Sequence, residues 1–233
     1  MEAIVLAGGF GTRLRQIVPD LPKPMAPVAG RPFLEILLAD LARNGFQRVI
    51  LSLGFMAERI TEHFGCDYAG MSLVPIVEDQ PLGTGGGVRL AMEQLTSDHA
   101  YIFNGDTFLD LDASAVEARW SGSRRPIIVA CSVPDTARYG RLLVEEEGRG
   151  RVVGFTEKGV AGPGLINAGC YVLPRSELLG FPVGVPFSLE QDFLVPLVQS
   201  GGVDAFITTG QFIDIGVPDD FHRAQTLLAG RHP

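Results

Sequence analysis

Short apolar runs rich in β-branched residues alternate with helical segments along the first half of the chain. The apolar runs lie at residues 3–6, 49–53, 73–77 and 101–103. Between the first two runs, residues 33–41 carry apolar side chains at helical spacing, and Asn44-Gly45 follows as a helix end. Because parallel strands need a long crossover, which is usually a helix, this order predicts βαβ units. We therefore expect an α/β fold with a Rossmann-like, mainly parallel sheet flanked by helices.

The pattern changes after residue 133, where short strands follow one another more closely. The expected strands are 141–145, 151–157, 165–173 and 203–207, with a turn at Glu147-Gly148 between the first two. The expected helices are 189–198, which contains Pro196, and 221–228. Neither an internal repeat nor a low-complexity linker divides the sequence. We therefore expect one domain over residues 1–233, with a smaller α+β lobe in its second half.

The composition disfavours several classes of function. The 233 residues carry a formal net charge of −8, which argues against a surface that lies along nucleic acid or anionic lipid. The apolar runs are too short to span a bilayer, so no membrane partner is expected. Cys66, Cys131 and Cys170 have neither disulfide nor zinc spacing, which indicates a reducing, cytoplasmic compartment. The sequence is compatible with a homo-oligomer.

A glycine-rich segment follows the first predicted strand directly, as Leu6-Ala7-Gly8-Gly9-Phe10-Gly11-Thr12-Arg13-Leu14. Glycines let a backbone approach a ligand closely, and N–H groups after a strand can bind phosphate. Arg13 and Lys23, the latter held between Pro22 and Pro24, add two cations to one phosphate-sized cradle. The spacing fits neither a Walker A motif nor the dinucleotide fingerprint. Taken alone, such a cluster is as compatible with a tight turn as with an anion site.

Two aspartates stand where a carboxylate can bind a metal ion. Asp106 follows Asn104-Gly105 after an apolar run, so it should lie at the carboxyl end of a strand, where open α/β sheets bind ligands. On this segment alone, a turn aspartate is the more common alternative. Asp214 lies within the apolar run 212–217, which is costly for an acid unless it is paired or bound to a cation. Its alternative role is a cap or turn residue before a helix that begins near Pro218.

Together these motifs resemble the signature of the sugar-phosphate nucleotidylyltransferases. The segment 6–14, followed by Pro22-Lys23-Pro24-Met25, has the family's spacing and flanks, and the resemblance runs from Met1 to about Phe221. It implies the nucleotide-diphospho-sugar transferase type of fold. The implied activity is transfer of a nucleoside monophosphate from a nucleoside triphosphate to a sugar 1-phosphate, with Mg²⁺ as cofactor and pyrophosphate as the second product.

The resemblance also implies roles for individual residues. Arg13, Lys23 and Asp106 would be catalytic, with Asp106 and Asp214 as the metal ligands. The implied nucleotide-binding residues are Leu6, Ala7, Gly8, Gly9, Gly11, Thr12, Arg13, Gln80 and Gly85. The implied sugar-phosphate-binding residues are Tyr139, Gly140, Glu157, Lys158 and Asn167. The nucleotide-binding part would thus cover about 1–133 and the sugar-phosphate-binding part about 134–233. Residues 80–87 resemble the family's nucleoside-binding loop, and their glycines predict a loop before a helix at 88–95.

Within this family the sequence is most similar to guanylyltransferases that act on D-glycero-α-D-manno-heptose 1-phosphate. The segments that carry the likeness are 24–27, 31–35, 81–86, 104–108 and 212–218. The likeness implies GTP as the donor and a GDP-heptose for bacterial capsule or lipopolysaccharide as the product. Two residues depart from the family pattern: Gly159 stands where proline usually follows Glu-Lys, and Gln80 where guanylyl-transferring relatives often carry glutamate. Because the Gln80 amide can hydrogen-bond to several bases, uridylyl or thymidylyl transfer to a hexose 1-phosphate stays open. Guanylyl transfer to mannose 1-phosphate is a further alternative.

Other functional classes account less well for the same residues. A glycosyltransferase fits the letters of Asp110-Leu111-Asp112 but not the glycine-rich start. A non-catalytic module that only binds sugar nucleotides would not need Arg13, Lys23, Asp106 and Asp214 together. A sugar 1-phosphate is largely dianionic at neutral pH, so its oxygen can attack without a strong protein base, and no catalytic Ser, Cys or His is required. We therefore expect an enzyme.

Overall fold

The computed structural model describes residues 1–11, 14, 17–145, 150–156 and 158–230. The strands in these residues are β1 (Glu2–Leu6), β2 (Pro27–Val28), β3 (Arg31–Pro32), β4 (Arg48–Leu53), β5 (Asp67–Tyr68), β6 (Met71–Val77), β7 (His99–Asn104), β8 (Thr107–Leu109), β9 (Ile127–Val133), β10 (Leu142–Val144), β11 (Val152–Phe155), β12 (Gly164–Pro174), β13 (Asp204–Thr208) and β14 (Phe212–Asp214). The α-helices are α1 (Phe33–Arg43), α2 (Ala57–Phe64), α3 (Gly83–Ala91), α4 (Ala113–Ser123), α5 (Val195–Gln199) and α6 (Pro218–Leu227). Short 3₁₀-helices lie at Lys23–Met25 and Met92–Gln94, and a π-helix lies at Leu189–Leu194.

Eight strands form one sheet in the spatial order β13-β9-β12-β7-β1-β4-β6-β5. β1 pairs in parallel with β4 and β7, β4 with β6, and β9 with β13. β12 runs antiparallel to both of its neighbours, β7 and β9, and β5 runs antiparallel to β6. The sheet is thus mainly parallel, as predicted. It includes β12 and β13 from the second half of the chain, whereas the antiparallel β10–β11 hairpin lies outside it.

The two faces of the sheet are covered by different helices. Ala3 and Val5 of β1 face an apolar cluster that includes residues of α1, α2 and α4. Ile4 faces the other way, into a cluster with residues of α3, the π-helix and α5. This alternation follows from the two-residue period of a strand. Because both faces are buried, β1 appears in the sequence as a continuous apolar run. Within the described residues, none of the helices is both long and apolar enough to cross a membrane.

A two-stranded ladder outside the main sheet joins two segments that are about a hundred residues apart in the sequence, β8 and β14. β14 pairs antiparallel with β8, so that Asp214 lies opposite Thr107. Phe108 and Ile213 from these strands are fully buried and pack in one cluster with Phe221 of α6. The sequence indicates the apolar run that becomes β14 but not the strand with which it pairs.

The glycine-rich segment after β6 departs from its prediction. The sequence predicts a loop in the first part of residues 80–87 and a helix at 88–95, but the helix spans Gly83–Ala91. Its glycines meet a need for close packing, since a Cβ at Gly85 would lie 2.2 Å from the Phe187 ring. A glycine costs a helix about 1 kcal/mol relative to alanine, so single-residue propensity points the wrong way here. Tertiary packing therefore decides where α3 begins.

The helix predicted at 189–198 consists of two parts. A π-helix covers Leu189–Leu194 and α5 continues directly from it, with Pro196 in the first turn of α5. Pro196 has no N–H to donate into the preceding turn, and it lies where the hydrogen-bond pattern changes from the π-helix to the α-helix. The predicted turn at Glu147-Gly148 lies outside the described residues, although the strands on either side of it pair as predicted.

A buried glutamate fastens the first strand to its surroundings. The Glu2 carboxylate accepts hydrogen bonds from Arg48 Nη1 at 2.6 Å, from the Ser97 N–H at 2.6 Å and from the Thr96 N–H at 3.0 Å. Burial by itself would raise the pKa of Glu2, but the hydrogen bonds from Ser97, Arg48 and Thr96 outweigh it and lower the pKa from 4.5 to about 2. The ionised form of Glu2 therefore stabilises the fold.

We expect Glu2→Gln to lower the free energy of unfolding by about 3 kcal/mol at about pH 7. The pKa of Glu2 is lower in the folded than in the unfolded protein, so its contribution is complete above pH 4.5 and is lost as the pH falls towards about 2. Urea unfolding of both proteins at about pH 7 and about pH 3 checks this. The difference between them should shrink at the lower pH, and an unchanged difference would contradict the assignment.

Candidate active site

An open cleft of about 400 Å³ lies at the carboxyl ends of β1, β4, β6 and β7. β1 stands between β4 and β7, so the connections on its two sides lead in opposite directions along the sheet. Such reversal points are where open α/β sheets bind ligands. The residues that line the cleft are Leu6, Ala7, Gly8, Gly9, Phe10, Gly11, Lys23, Pro24, Ser52, Glu78, Pro81, Gly83, Thr84, Asn104, Gly105 and Asp106.

The glycine-rich segment forms one side of this cleft, and the described nucleotide-binding residues predicted in it, 6–9 and 11, all line it. Gly11 has a φ of +58°, and a Cβ there would lie 2.8 Å from Lys23 Cβ. A Cβ at Gly8 would lie 3.1 Å from the backbone nitrogen of Gly54. Both glycines are therefore required by close contacts, and they leave the backbone of the segment facing the cleft.

Gly105 fixes the loop after β7 against the end of β1. Its N–H donates to the Leu6 carbonyl at 2.9 Å, and a Cβ on Gly105 would lie 2.6 Å from that oxygen. Leu6 is paired with Asn104, the residue before Gly105, so the backbone here cannot easily move to admit a side chain. Asp106, the next residue, is thereby held beside the glycine-rich segment.

Lys23 and two aspartates form the charged centre of the site. Lys23 begins the short 3₁₀-helix between two prolines, and its side chain is only 14% exposed. Its Nζ donates to Asp106 Oδ2 and lies 3.8 Å from Asp214 Oδ1. The β8–β14 ladder brings the two acids together, and the Ile215 N–H donates to the Asp106 carbonyl at 2.9 Å. The structure therefore brings together three residues that the sequence predicts to act together.

Burial and charge act against ionisation of Asp214. Burial and the neighbouring charge of Asp106 raise the pKa of Asp214, whereas Lys23 and a hydrogen bond from the Gly216 N–H, at 2.6 Å, oppose that rise. A Cβ at Gly216 would lie 2.8 Å from Asp214 Oδ1 and 2.9 Å from Lys23 Nζ, so a side chain there would displace these charged groups. Asp214 belongs to β14 and not to the cap of α6, which is Val217. The acid pair is thus a site of concentrated negative charge that one lysine only partly balances.

The carboxylates of Asp106 and Asp214 fit one kind of metal site. In the described part of the chain no group of three or more His, Cys, Asp or Glu side chains is placed to hold a metal ion. Asp106 and Asp214 are two carboxylates beside a phosphate-sized cleft. Mg²⁺ is commonly bound by one or two carboxylates and completes its shell with substrate phosphate and water, whereas Zn²⁺ needs three or four protein ligands. The pair therefore fits Mg²⁺ bound together with a nucleotide.

Glu78 is a residue of the cleft that the sequence analysis missed. It follows β6, and both of its carboxylate oxygens are held, Oε1 by the Ser52 hydroxyl at 3.2 Å and Oε2 by the Leu82 N–H at 2.9 Å. A Cβ at Gly87 would lie 2.7 Å from Oε1, so α3 packs directly against this carboxylate. Its position at the carboxyl end of a strand is the signal that could have indicated it.

Gln80 and Gly85, the other residues predicted to bind the nucleotide, do not line the cleft. The Gln80 side chain is exposed. Gly85 is buried within α3, where its N–H donates to the Phe187 carbonyl at 3.0 Å. Gly85 is therefore explained by helix packing alone.

A second groove, of about 470 Å³, lies between β11 on one side and the π-helix with α5 on the other. Two predicted sugar-phosphate residues, Tyr139 and Lys158, line it. The residues that complete its lining are Val153, Gly154, Phe155, Thr156, Glu190, Gln191, Val195, Val198 and Gln199. The groove thus combines apolar side chains with a few polar groups, as small-molecule sites generally do.

Asn167 and Gly140 do not line this groove directly. Asn167 Nδ2 donates to the Tyr171 hydroxyl at 2.9 Å, and its Oδ1 accepts from the Gly169 N–H at 3.1 Å. Gly140 has a φ of +73°, and its N–H donates to the Thr136 carbonyl at 3.2 Å. Asn167 retains one N–H for a ligand, whereas the Gly140 N–H is already engaged.

Two contacts join the second groove to the first cleft. The Tyr139 ring packs edge-on against Phe212, with centroids 5.4 Å apart, and Phe212 begins the strand that ends at Asp214. On the other side, a Cβ at Gly169 would lie 2.5 Å from the side-chain amide of Asn104, which lines the first cleft. Tyr139 of the second groove is therefore linked through Phe212 to the strand that ends at Asp214.

Comparison with known proteins decides the family. The nucleotidyl transferase family profile matches residues 2–230. The chain belongs to the nucleotidyl transferase family.

Relatives of this nucleotidyl transferase match it over nearly their full lengths. D-glycero-alpha-D-manno-heptose 1-phosphate guanylyltransferase of Aneurinibacillus thermoaerophilus is 38% identical, over 98% of this chain and 98% of the relative. The protein of the same name from Campylobacter jejuni is 37% identical, over 95% and 97% respectively. The structure of HddC from Yersinia pseudotuberculosis complexed with GMP-PN has a TM-score of 0.86 and 36% identity, over 97% of this chain and 98% of that one. These matches confirm the predicted family, enzyme class and fold.

The segment 110–112 of this nucleotidyl transferase matches the D-x-D motif of glycosyltransferases but has a structural explanation. In Asp110-Leu111-Asp112, the Asp112 side chain caps α4 by accepting from the Ala115 N–H at 3.0 Å. Leu111 is buried in the core. The D-x-D letters therefore mark the start of a helix.

Three predicted site residues of the nucleotidyl transferase lie outside the described residues: Thr12, Arg13 and Glu157. Thr12 and Arg13 follow Gly11, which lines the first cleft, and Glu157 precedes Lys158, which lines the second groove. Their roles stay predictions.

Proposed function

We propose that this nucleotidyl transferase moves GMP from GTP onto D-glycero-α-D-manno-heptose 1-phosphate and releases pyrophosphate. The observation that carries the proposal is the cluster of Lys23, Asp106 and Asp214 beside a cleft walled by glycine-rich backbone. The choice of substrates rests on similarity to heptose 1-phosphate guanylyltransferases and to HddC, whose structure contains GMP-PN.

In this proposal the nucleotide lies in the first cleft, with its phosphates along the glycine-rich backbone. Gly8, Gly9 and Gly11 present backbone to the cleft, and N–H groups after a strand favour negative charge. Leu6 and Ala7 line the same cleft and would contact the nucleotide. Thr12 and Arg13 continue the same segment and would add a hydroxyl and a cation at the departing pyrophosphate.

Asp106 and Asp214 would hold Mg²⁺, which when bound supplies positive charge against the α-phosphate. Lys23 donates to Asp106 and lies 3.8 Å from Asp214, so its ammonium group would lie beside the metal ion and neutralise negative charge at the reacting phosphates. The two acids also hold Lys23 in place. Their role is thus to organise cations, and neither acid acts as a nucleophile.

The reaction needs no proton acceptor on the protein. A sugar 1-phosphate is mostly dianionic near neutral pH, since its second pKa is about 6. One of its oxygens attacks the α-phosphorus, a new P–O bond forms, and the bond from that phosphorus to the β-bridging oxygen breaks. The electron pair leaves with pyrophosphate. The contribution of the chain is to position both substrates and to neutralise their charge.

The sugar 1-phosphate would lie in the second groove. Lys158 is an exposed cation there and would pair with the phosphate, and Tyr139 lies between the groove and the strand that carries Asp214. Asn167 keeps one N–H for a sugar hydroxyl, Glu157 would bind further hydroxyls, and Gly140 holds the turn that positions Tyr139.

Glu78 is proposed to read the base. Guanine presents N–H donors at N1 and N2, and a carboxylate fixed by the Ser52 hydroxyl and the Leu82 N–H keeps lone pairs free to accept from both. Uracil and thymine present a single such donor, at N3. A fixed carboxylate therefore favours guanine over the pyrimidines and supports GTP as the donor.

We expect Glu78→Gln to lower kcat/KM for GTP by about tenfold to a hundredfold, the usual value of one hydrogen bond to a charged group. The value for UTP should fall less, so the preference for GTP over UTP narrows. The adjacent acid-to-amide change Asp79→Asn, at an exposed position, is the matched control. If Glu78→Gln lowered the two values equally, Glu78 would not read the base.

A substrate panel tests the proposed function. Purified protein is incubated with Mg²⁺, each of ATP, CTP, GTP, UTP and dTTP, and the 1-phosphates of manno-heptose, mannose or glucose, and pyrophosphate is measured. We expect the highest kcat/KM with GTP and the heptose 1-phosphate. A preference for UTP or dTTP with glucose 1-phosphate would overturn the substrate assignment, as would a preference for mannose 1-phosphate with GTP.

A further inference from the structure

Two polar residues of the second groove have no part in the account so far. Glu190 and Gln191 lie on the π-helix, across the groove from the chain that carries Thr156 and Lys158. Both side chains are exposed. Among the described residues, no hydrogen bond or ion pair engages the Glu190 carboxylate. It is therefore free to accept hydrogen bonds from a ligand in the groove.

The backbone that carries these two residues is firmly held. Leu189, Phe193 and Leu194 of the same π-helix are buried in the core, which leaves Glu190 and Gln191 on its outer side. The Leu189 N–H donates at 3.0 Å to the hydroxyl of Thr84, which lines the first cleft. A π-helix is rare and is found often at functional sites. This segment is thus tied to the first cleft while it forms a wall of the second groove.

The charge of Glu190 also acts on the hydrogen-bond partner of the predicted sugar-binding residue Asn167. Burial raises the pKa of the Tyr171 hydroxyl, and the charge of Glu190 raises it further. That hydroxyl accepts the hydrogen bond from Asn167 Nδ2 at 2.9 Å. The charge of Glu190 therefore acts on the hydroxyl to which Asn167 is hydrogen-bonded, and Glu190 lines the same groove as Lys158.

The charges fix the direction of a sugar phosphate in this groove. A phosphate dianion is attracted by Lys158 and repelled by a carboxylate, so it would lie away from Glu190. Glu190 must then face the hydroxyl end of the sugar. Phe155, Val195 and Val198 supply apolar contacts for the carbon framework in between.

We infer that Glu190 and Gln191 bind the C6–C7 end of a seven-carbon sugar and so select it over a hexose. This inference rests on the proposed function, because it takes a manno-configured sugar 1-phosphate as the acceptor. A manno-heptose has the ring of mannose with one more carbon, which gives two neighbouring hydroxyls at C6 and C7. A carboxylate can accept from both hydroxyls at once, and the Gln191 amide can donate to one and accept from the other. Mannose offers a single hydroxyl at that end.

The test compares heptose and hexose acceptors in matched variants. We expect Glu190→Ala to raise the KM for the heptose 1-phosphate by about tenfold, with kcat and the KM for GTP changed by no more than about twofold. The KM for mannose 1-phosphate should rise by a clearly smaller factor, because mannose offers Glu190 a single hydroxyl at that end. Gln191→Ala should shift the heptose KM in the same direction by a smaller factor. Glu62→Ala, the same change at an exposed position on α2, serves as the control.

A structural defect and a loss of recognition give different results. If Glu190→Ala raised the KM for heptose and mannose 1-phosphates equally, or left both unchanged, the inference would be overturned while the proposed function stood. If Glu190→Ala were poorly folded, Glu190→Gln would be measured in its place, and an unchanged heptose-to-mannose ratio would overturn the inference equally. If the wild-type protein used mannose 1-phosphate and not the heptose 1-phosphate, the proposed acceptor and this inference would fail together.

Discussion

Asp106→Asn should lower kcat by about a thousandfold while the fold survives. The change removes a charge that both holds Lys23 and would bind the metal ion, and losses of this size follow when one charge-stabilising group is removed from a reacting centre. Asp214→Asn should have a similar effect. Steady-state pyrophosphate release measures both. Asp110→Asn, four residues further on, is the matched control and also tests the glycosyltransferase alternative.

The stability of the same variants separates catalysis from folding. Asp106 and Asp214 repel each other across one lysine, and that repulsion and burial already raise the pKa of Asp214. Removing either charge relieves the repulsion, so the free energy of unfolding should change by no more than about 1 kcal/mol. Near-normal activity of Asp106→Asn would remove Asp106 from the catalytic site. A large loss of stability would instead assign it a structural role.

Lys23→Ala should lower kcat by about a hundredfold and leave the KM for the sugar phosphate nearly unchanged. Lys23 is placed at the reacting phosphates, where its charge counts most as the new bond forms. Lys158→Ala should do the opposite and raise the KM for the sugar phosphate by about tenfold, because Lys158 holds the acceptor before and during the reaction. Steady-state kinetics with each substrate varied in turn distinguishes the two. The reverse assignment of kcat and KM effects would exchange their roles.

Lys23→Ala should also reduce stability, in contrast to the aspartate variants. Without the lysine, Asp106 and Asp214 lose the ammonium group that balances their charges. The stem of Lys23 also lies close against Gly11, and that packing is lost as well. We expect a lower melting temperature that rises again when Mg²⁺ is added, because a cation that binds the acids only in the folded state stabilises it. A melting temperature that Mg²⁺ leaves unchanged would argue against the acid pair as a metal site.

The main sheet was predictable because its central strands are buried on both faces. A strand of this kind must be apolar throughout, so β1, β4 and β7 stand out as runs in the sequence. The same rule puts the ligand site at their carboxyl ends, where Gly8 to Gly11 and Asp106 follow. The pairing of Asp106 with Asp214 was predicted only through family resemblance. The β8–β14 ladder that brings them together is not visible in either segment alone.

Three features escaped prediction because they depend on contacts distant in sequence. The start of α3 is decided by Phe187, which packs where a side chain on Gly85 would lie. In the sequence Glu78 is only an acid that follows a strand. The structure adds that Ser52 and Leu82 fix its carboxylate in the cleft. The second groove forms between β11 and a π-helix that no periodicity distinguishes from an ordinary helix.

The measurement that tests the central claim most directly is pyrophosphate release from GTP labelled at the α-phosphate, with and without the heptose 1-phosphate. The claim is that the sugar phosphate, and not water, displaces pyrophosphate at the site formed by Lys23, Asp106 and Asp214. The account predicts release only when the sugar phosphate is present, with the label recovered in GDP-heptose in an amount equal to the pyrophosphate. Equal release without any sugar phosphate, with the label recovered as free GMP, would contradict it.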